Sequence, residues 1–140
     1  MSLVVIDASA VVEYLLRTDL GVELRARIEA PAADLHAPAL CDVEVASALR
    51  RAMADRRATE RRAREALADY LDLPLTRHGH ATLMSRMLEL RANFTASDAT
   101  YAALAERLGA SLLTADRALA RAATEHLALE VEGPFGSDRR

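Results

Sequence analysis

The sequence predicts an α/β fold: a three-layer α/β/α domain with a short, mainly parallel central sheet flanked by helices. Three observations predict it. Short apolar segments alternate with amphipathic helical segments along the chain, the pattern of strand–helix–strand units around a parallel sheet. The opening Leu3-Val4-Val5-Ile6 run is apolar on both faces and mostly β-branched, as a buried parallel strand is. Asp7 and Asp116 each follow such a run and start a helical pattern, at the strand ends where open α/β sheets bind ligands.

After the first strand, Ser9 or Asp7 is expected to cap a helix over residues 10–16, with Val11, Val12, Leu15 and Leu16 as its apolar stripe. Asp19 is expected to cap the next helix, which buries Val22, Leu24 and Ile28. A turn at Pro31 leads to Leu35-His36-Ala37, a second parallel or edge strand ended by Pro38. A helix over 40–54 places Val43, Val45, Ala46, Leu49 and Met53 at apolar positions. Thr59 opens another, whose inward residues are Ala63, Ala66, Leu67, Tyr70 and Leu71. Leu73-Pro74-Leu75-Thr76 reads as a brief strand, and its proline argues for the sheet edge.

Residues 79–90 are helical by pattern, with Leu83, Met84, Met87, Leu88 and Leu90 as core candidates. Beyond a turn at Asn93, Thr95 precedes a long helix to Leu108, and Gly109 stands where a helix C-terminal glycine belongs. Ser111-Leu112-Leu113-Thr114 is a strand, 117–124 a short helix and 127–131 a last strand. One domain is expected over 1–132, with 133–140 as a flexible C-terminal tail. There is no internal repeat and no linker.

Composition narrows the function classes. The 140 residues suffice for one domain with its own core, and 51% hydrophobic with 28% charged residues is a globular rather than a disordered balance. No apolar run reaches the length of a membrane span, and no secretory leader pattern opens the chain. With a single cysteine, Cys41, the expectation is a cytoplasmic protein without an internal disulfide. All 18 basic residues are arginine. That excludes Schiff-base lysines and the phosphate-binding lysine of P-loop proteins. The net charge of −3 hides an uneven distribution: Arg50, Arg51, Arg56, Arg57, Arg61, Arg62 and Arg64 face only Asp55 and Glu60 between positions 50 and 64. Such a stretch suits a phosphate backbone, an acidic protein partner or a solvated helix face.

Four acids stand at strand ends or in first helical turns: Asp7, Glu44, Asp98 and Asp116. Each alone has a bland explanation. Asp7 and Asp116 cap helices, and Asp98 follows Thr95 as a capping-box partner does. Glu44 is harder to dismiss, because Val43 and Val45 flank it and an uncompensated carboxylate is costly to bury. Converging carboxylates repel one another and raise their pKa values, a penalty that a divalent cation removes. Oxygen ligands without a His or Cys cluster favour Mg²⁺ or Mn²⁺ over zinc. A metal-activated water attacking phosphorus in line then becomes the reaction to expect.

Other residues read more modestly. Asp42 shares a helix with Glu44 but points elsewhere, a surface or capping acid. His78 and His80 make an H-x-H pair too small for a metal site. Cys41 has no evident base partner. Arg117, beside Asp116, is the arginine expected to touch a substrate phosphate, unless it is a surface residue.

The residues also carry a family likeness. Val5-Ile6-Asp7-Ala8-Ser9-Ala10, the run from Pro38 through Asp42, Glu44 and Leu49 to Arg50, the run from Ser97-Asp98 through Tyr101 to Glu106, and Leu112-Leu113-Thr114-Ala115-Asp116-Arg117 occur in this order. The chain resembles the PIN-domain nucleases, and within them the VapC toxins of bacterial and archaeal toxin–antitoxin pairs, from about Leu3 to Ala123. The resemblance implies a Mg²⁺-dependent endoribonuclease, with Mn²⁺ as a substitute, whose metal and catalytic acids are Asp7, Asp98, Glu44 and Asp116. It puts Asp7 and Asp98 first as direct ligands, and the hydroxyls of Ser9 and Thr114 behind them, holding a water or a phosphate oxygen. It further implies a VapB-like antitoxin as partner, a homodimer, a toxin–antitoxin hetero-oligomer and no membrane. Two other readings fail on residues: a haloacid-dehalogenase-like phosphatase needs an aspartate where Ser9 stands, and both it and a response-regulator receiver need a lysine. A PIN nuclease of RNA processing, and a catalytically silent interaction module, remain as alternatives.

Overall fold

The computed structural model describes residues 2–135. Among them the chain forms five strands: β1 (Ser2–Ile6), β2 (Ala33–Pro38), β3 (Leu75–His78), β4 (Ser111–Leu113) and β5 (Val131–Glu132). The α-helices are α1 (Ala8–Leu15), α2 (Asp19–Ile28), α3 (Leu40–Ala54), α4 (Glu60–Asp72), α5 (Met84–Glu89), α6 (Ala96–Leu108) and α7 (Arg117–His126). The strands make one sheet in the order β3-β2-β1-β4-β5, and every neighbouring pair is parallel. The expected three-layer fold is therefore present.

β1 lies at the centre. Val4, Val5 and Ile6 are fully buried, each contributing about 1.5–3 kcal/mol by leaving water. From β1 the chain steps to β2 and β3 on one side, then returns to β4 and β5 on the other. α1 packs against α2, α3 and α4, while α5 packs against α6, which covers β1, β2 and β4, the division that right-handed crossovers on either side of a reversal produce. The reversal opens a crevice at the carboxyl ends of β1 and β4, the topological switch point where such sheets bind ligands. Register fixes what meets there: Ile6 pairs with Leu113, so Asp7 and Thr114 leave the sheet side by side.

Side-chain hydroxyls and carboxylates start most of the long helices. Asp7, not Ser9, caps α1; Thr18, not Asp19, caps α2; Thr59 caps α4, Thr95 caps α6 and Asp116 caps α7. Gly109 ends α6 with φ +65°, a left-handed conformation that glycine adopts without a Cβ penalty. Gly21 is fixed by a close approach: a Cβ there would lie 1.9 Å from the Glu13 carbonyl oxygen, so only glycine lets α2 sit this tightly on α1.

The structure corrects several burial expectations. Val43 is 64% exposed, and Val22, Met53, Leu67, Leu71, Met84 and Leu88 are exposed with it. On α4 only Ala63, Ala66 and Tyr70 of the expected inward set fill the interior. The third strand starts after Pro74 rather than through it, and remains at the edge. In place of one helix over 79–90, two single-turn 3₁₀ segments, Ala81–Leu83 and Leu90–Ala92, flank the short α5. The folded part also extends beyond residue 132. Phe135 is only 6% exposed, with the Arg117 guanidinium 5.3 Å from its ring centre; residues 136–140 of the expected tail lie outside the described residues.

Candidate active site

Asp7 is the anchor of the crevice. It is 5% exposed, yet both its oxygens are engaged. Oδ1 accepts from the Ser9 hydroxyl at 2.8 Å and the Ala10 N–H at 3.0 Å, and Oδ2 accepts from the Thr114 hydroxyl at 2.7 Å. The two hydroxyls are themselves oriented by backbone, since Ser9 Oγ accepts from Ala115 N at 3.0 Å and Thr114 Oγ1 from Asp116 N at 2.9 Å. Each hydroxyl has one hydrogen and directs it at Asp7, so their 3.3 Å approach to each other is a contact and not a further donated bond. Ser9 and Thr114, expected to hold a water or phosphate oxygen, hold the Asp7 carboxylate in place. Burial outweighs these donors and raises the Asp7 pKa from 3.8 to about 6, with the nearby Asp116 adding to the rise.

The other three acids arrive from separate elements. Glu44 comes from the second turn of α3, Asp98 from the first turn of α6 and Asp116 from the cap of α7. All four line one cavity of about 360 Å³. Asp98 is raised above the ordinary carboxylate range by burial and by the charges of Asp116 and Glu44, against the hydrogen bond to Thr95. Asp116 uses Oδ1 to accept from the Ala118 and Leu119 N–H groups at 2.9 and 3.2 Å, so its capping and site positions coexist. The sequence-predicted acids are thus brought together.

The cavity has further charged or polar lining residues: Arg51 and Arg57, named from sequence only as part of the basic stretch, Tyr101, named only within a family-like run, and Glu13, which the sequence did not single out. Tyr101 is 2% exposed and donates its hydroxyl to Glu44 Oε1 at 2.5 Å. Its spacing gave a signal, because three residues after Asp98 on a helix is the same face. Arg51 stands seven residues after Glu44, two helical turns along one face of α3. Arg57 follows the turn in which Arg56 takes φ 57°. Arg117, expected either to touch a substrate phosphate or to be a surface residue, is exposed beside Asp116, with its guanidinium 5.3 Å from the Phe135 ring centre. The rest of the basic stretch is divided. Arg62 donates to the Leu15 carbonyl, while Arg61 and Arg64 pair with Glu65 and Glu60 on the surface, contacts worth little.

Neighbouring groups have structural partners. Asp42 points away from the cavity and accepts from Tyr70 at 2.6 Å and Arg77 at 2.8 Å. Cys41 is buried, and burial pushes its thiol up to about 11, which removes it as a nucleophile near neutral pH. His78 shares a 2.9 Å ring hydrogen bond with His36, and His80 accepts from the Leu40 N–H at 3.0 Å at the start of α3.

The donor set fits a hydrated divalent cation. It is all oxygen, it carries the repulsion expected of converging carboxylates, and it lies in a crevice open enough for water. Among the described residues no three carboxylates are drawn into a ready coordination sphere. Mg²⁺ tolerates this, since it keeps several waters and is held through one or two carboxylates.

Comparison with known proteins completes the description. The PIN domain family matches residues 4–125. Ribonuclease VapC12 of Mycobacterium tuberculosis is 34% identical over 129 residues, spanning 92% of this chain and 98% of that protein. Ribonuclease VapC3 of the same species is 42% identical over 120 residues, spanning 85% and 86%. The solved structure of VapBC2 from Rickettsia felis, bound to a DNA fragment from their promoter, aligns with a TM-score of 0.66 at 14% identity over 93% of this chain and 97% of that one; that likeness concerns the fold. Among the described residues no helix is long and apolar enough to cross a membrane.

Proposed function

The chain belongs to the PIN-domain family, and on that premise we propose that it is a metal-dependent endoribonuclease, the toxin of a toxin–antitoxin pair. One observation carries the chemical part: Asp7, Glu44, Asp98 and Asp116, from four separate segments, line a single crevice at the switch point of the sheet. The ribonuclease part is supported by relatives that bear that name and span most of this chain.

In this reading Asp7 and Asp98 hold a Mg²⁺ or Mn²⁺ ion, with Glu44 and Asp116 completing the acidic wall. The ion, when bound, neutralises charge on the nonbridging phosphate oxygens and acidifies a water. The chain's own residues do the rest. The Ser9 and Thr114 hydroxyls and the Ala10 N–H keep Asp7 in one orientation, so little reorganisation is needed when substrate arrives. Glu44 and Asp116 orient the attacking water and accept its hydrogen bonds. Arg51 and Arg57 line the same cavity and receive the phosphates that flank the scissile bond, bidentately where geometry allows. These contacts grip backbone and carry no sequence information, so the choice of RNA rests on shape and unpaired bases.

The partner part of the proposal is a VapB-like antitoxin that covers this crevice, with two copies of the chain in the complex and the cytoplasm as its compartment. It is supported by the VapC relatives and by the pairing of the structural neighbour with its own partner. The deciding experiment is a cleavage assay on structured RNAs with purified protein, with and without EDTA. Mg²⁺-dependent cleavage lost in Asp7→Asn and Asp98→Asn is the expected result, and undiminished cleavage by either variant overturns the assignment. Co-expression with a VapB-like protein followed by co-purification tests the partner.

A further inference from the structure

α3 carries two acids near its start, and each receives a tyrosine hydroxyl from a different helix. Asp42 takes Tyr70 of α4 and also the Arg77 guanidinium, outside the crevice. Glu44 takes Tyr101 of α6 at 2.5 Å, and both side chains line the crevice. Tyr101 rises from the same helix face as Asp98, one turn further on. A single helix therefore supplies one acid of the site and the donor that restrains another.

We propose that Tyr101 is a positioning residue: its hydroxyl pins Glu44 Oε1, so that Oε2 is the oxygen the carboxylate presents to a divalent cation or its water. The proposal rests on the metal-dependent reading of the crevice. Without this hydrogen bond the Glu44 side chain has free rotation about three bonds at the edge of a crevice lined by four other carboxylates, Asp7, Glu13, Asp98 and Asp116, and like-charge repulsion turns it outward. With it, the carboxylate is held before any ion arrives, as groups behind a metal's direct ligands hold those ligands. Burial and the neighbouring Cys41 and Glu44 keep the Tyr101 phenol protonated well above its ordinary range, so it acts as a donor throughout neutral pH.

A double-mutant cycle tests this. Wild type, Tyr101→Phe, Glu44→Gln and the double variant are compared by Mn²⁺ affinity, read from the free-Mn²⁺ paramagnetic signal, and by RNA cleavage. Tyr101→Phe keeps the buried ring and removes only the hydroxyl, so the metal-free melting temperature serves as the fold control. The expected result is about a 10–100-fold loss of Mn²⁺ affinity in Tyr101→Phe, a fall in kcat with KM for RNA little changed, and no further loss when Tyr101→Phe is added to Glu44→Gln. Tyr101→Phe indistinguishable from wild type, or a loss that adds in full to that of Glu44→Gln, overturns the proposal. If wild type cleaves no RNA while the coupled loss of Mn²⁺ affinity is present, the ribonuclease reading fails and the role of Tyr101 stands. If wild type binds no Mn²⁺, both fall. In the wild type alone, the Tyr101 hydroxyl proton should give a downfield, slowly exchanging resonance that moves on addition of Mg²⁺; a resonance that stays in place counts against the proposal.

Discussion

The Thr114 hydroxyl donates to Asp7 Oδ2 at 2.7 Å across a sequence separation of 107 residues. The parallel pairing of β1 with β4, with Ile6 opposite Leu113, makes the meeting possible. Thr114 is fully buried, so Thr114→Val keeps the shape and removes the donor from a buried carboxylate. It should cost about 1.5–3 kcal/mol at pH 7.5, measured by urea denaturation in EDTA. The cost should shrink at pH 5, where Asp7 is largely protonated; an equal cost at both pH values would show that the effect came from packing or from the lost acceptor of the Asp116 N–H, and not from the bond to Asp7.

Asp7 also sets a pH dependence. Its pKa is raised from 3.8 to about 6, so the folded state binds the proton more tightly than the unfolded chain does. Its stabilising contribution is therefore full below pH 4 and is lost as pH rises through 6. At about 1.4 kcal/mol per pKa unit, the loss is on the order of 3 kcal/mol. Asp98 is raised too and acts in the same direction, whereas Asp42 is lowered by Tyr70 and Arg77, which overcome its desolvation, and acts oppositely at more acidic pH. The measurement is metal-free urea stability from pH 4.5 to 7.5 in wild type and Asp7→Asn. The wild type should lose stability relative to the variant across that range; parallel curves would refute the assignment.

Metal linkage follows from the same repulsion. Millimolar Mn²⁺ should raise the melting temperature at pH 7.5 by the mass-action relation RT ln(1 + [L]/Kd), about 2.7 kcal/mol at 100-fold saturation. At pH 5 the rise should be smaller, because binding must displace the Asp7 proton. Asp7→Asn should lose the response while keeping, or gaining, metal-free stability. A melting curve indifferent to Mn²⁺ at pH 7.5 counts against the site.

The arginines separate cleanly. Arg51→Ala combined with Arg57→Ala should weaken RNA binding and make its salt dependence shallower, since fewer phosphates are then neutralised. Arg117→Ala should leave cleavage within about twofold, while removing the stacking on Phe135 should cost about 0.5–1 kcal/mol of stability. Cleavage that depends on Arg117 and not on Arg51 or Arg57 would reverse this assignment.

By itself the sequence determined what is local. The β-branched run of β1, the capping hydroxyls and carboxylates, the glycine after α6 and the alternation of strand and helix are set by residues within a few positions of one another, and they sufficed for the α/β class and for the four acids as a group. Burial on single helix faces was less legible, because Val43, Leu67 and Leu71 are as apolar as their buried neighbours and only packing decides which side of α3 or α4 meets the sheet. Partner choice was the least legible. Thr114 turned to Asp7 across 107 residues, Arg117 turned to Phe135, and Tyr101 found Glu44 57 residues away. Those pairings depend on strand order and crossover handedness, which bring distant residues to one crevice, and no pattern within a single segment encodes them.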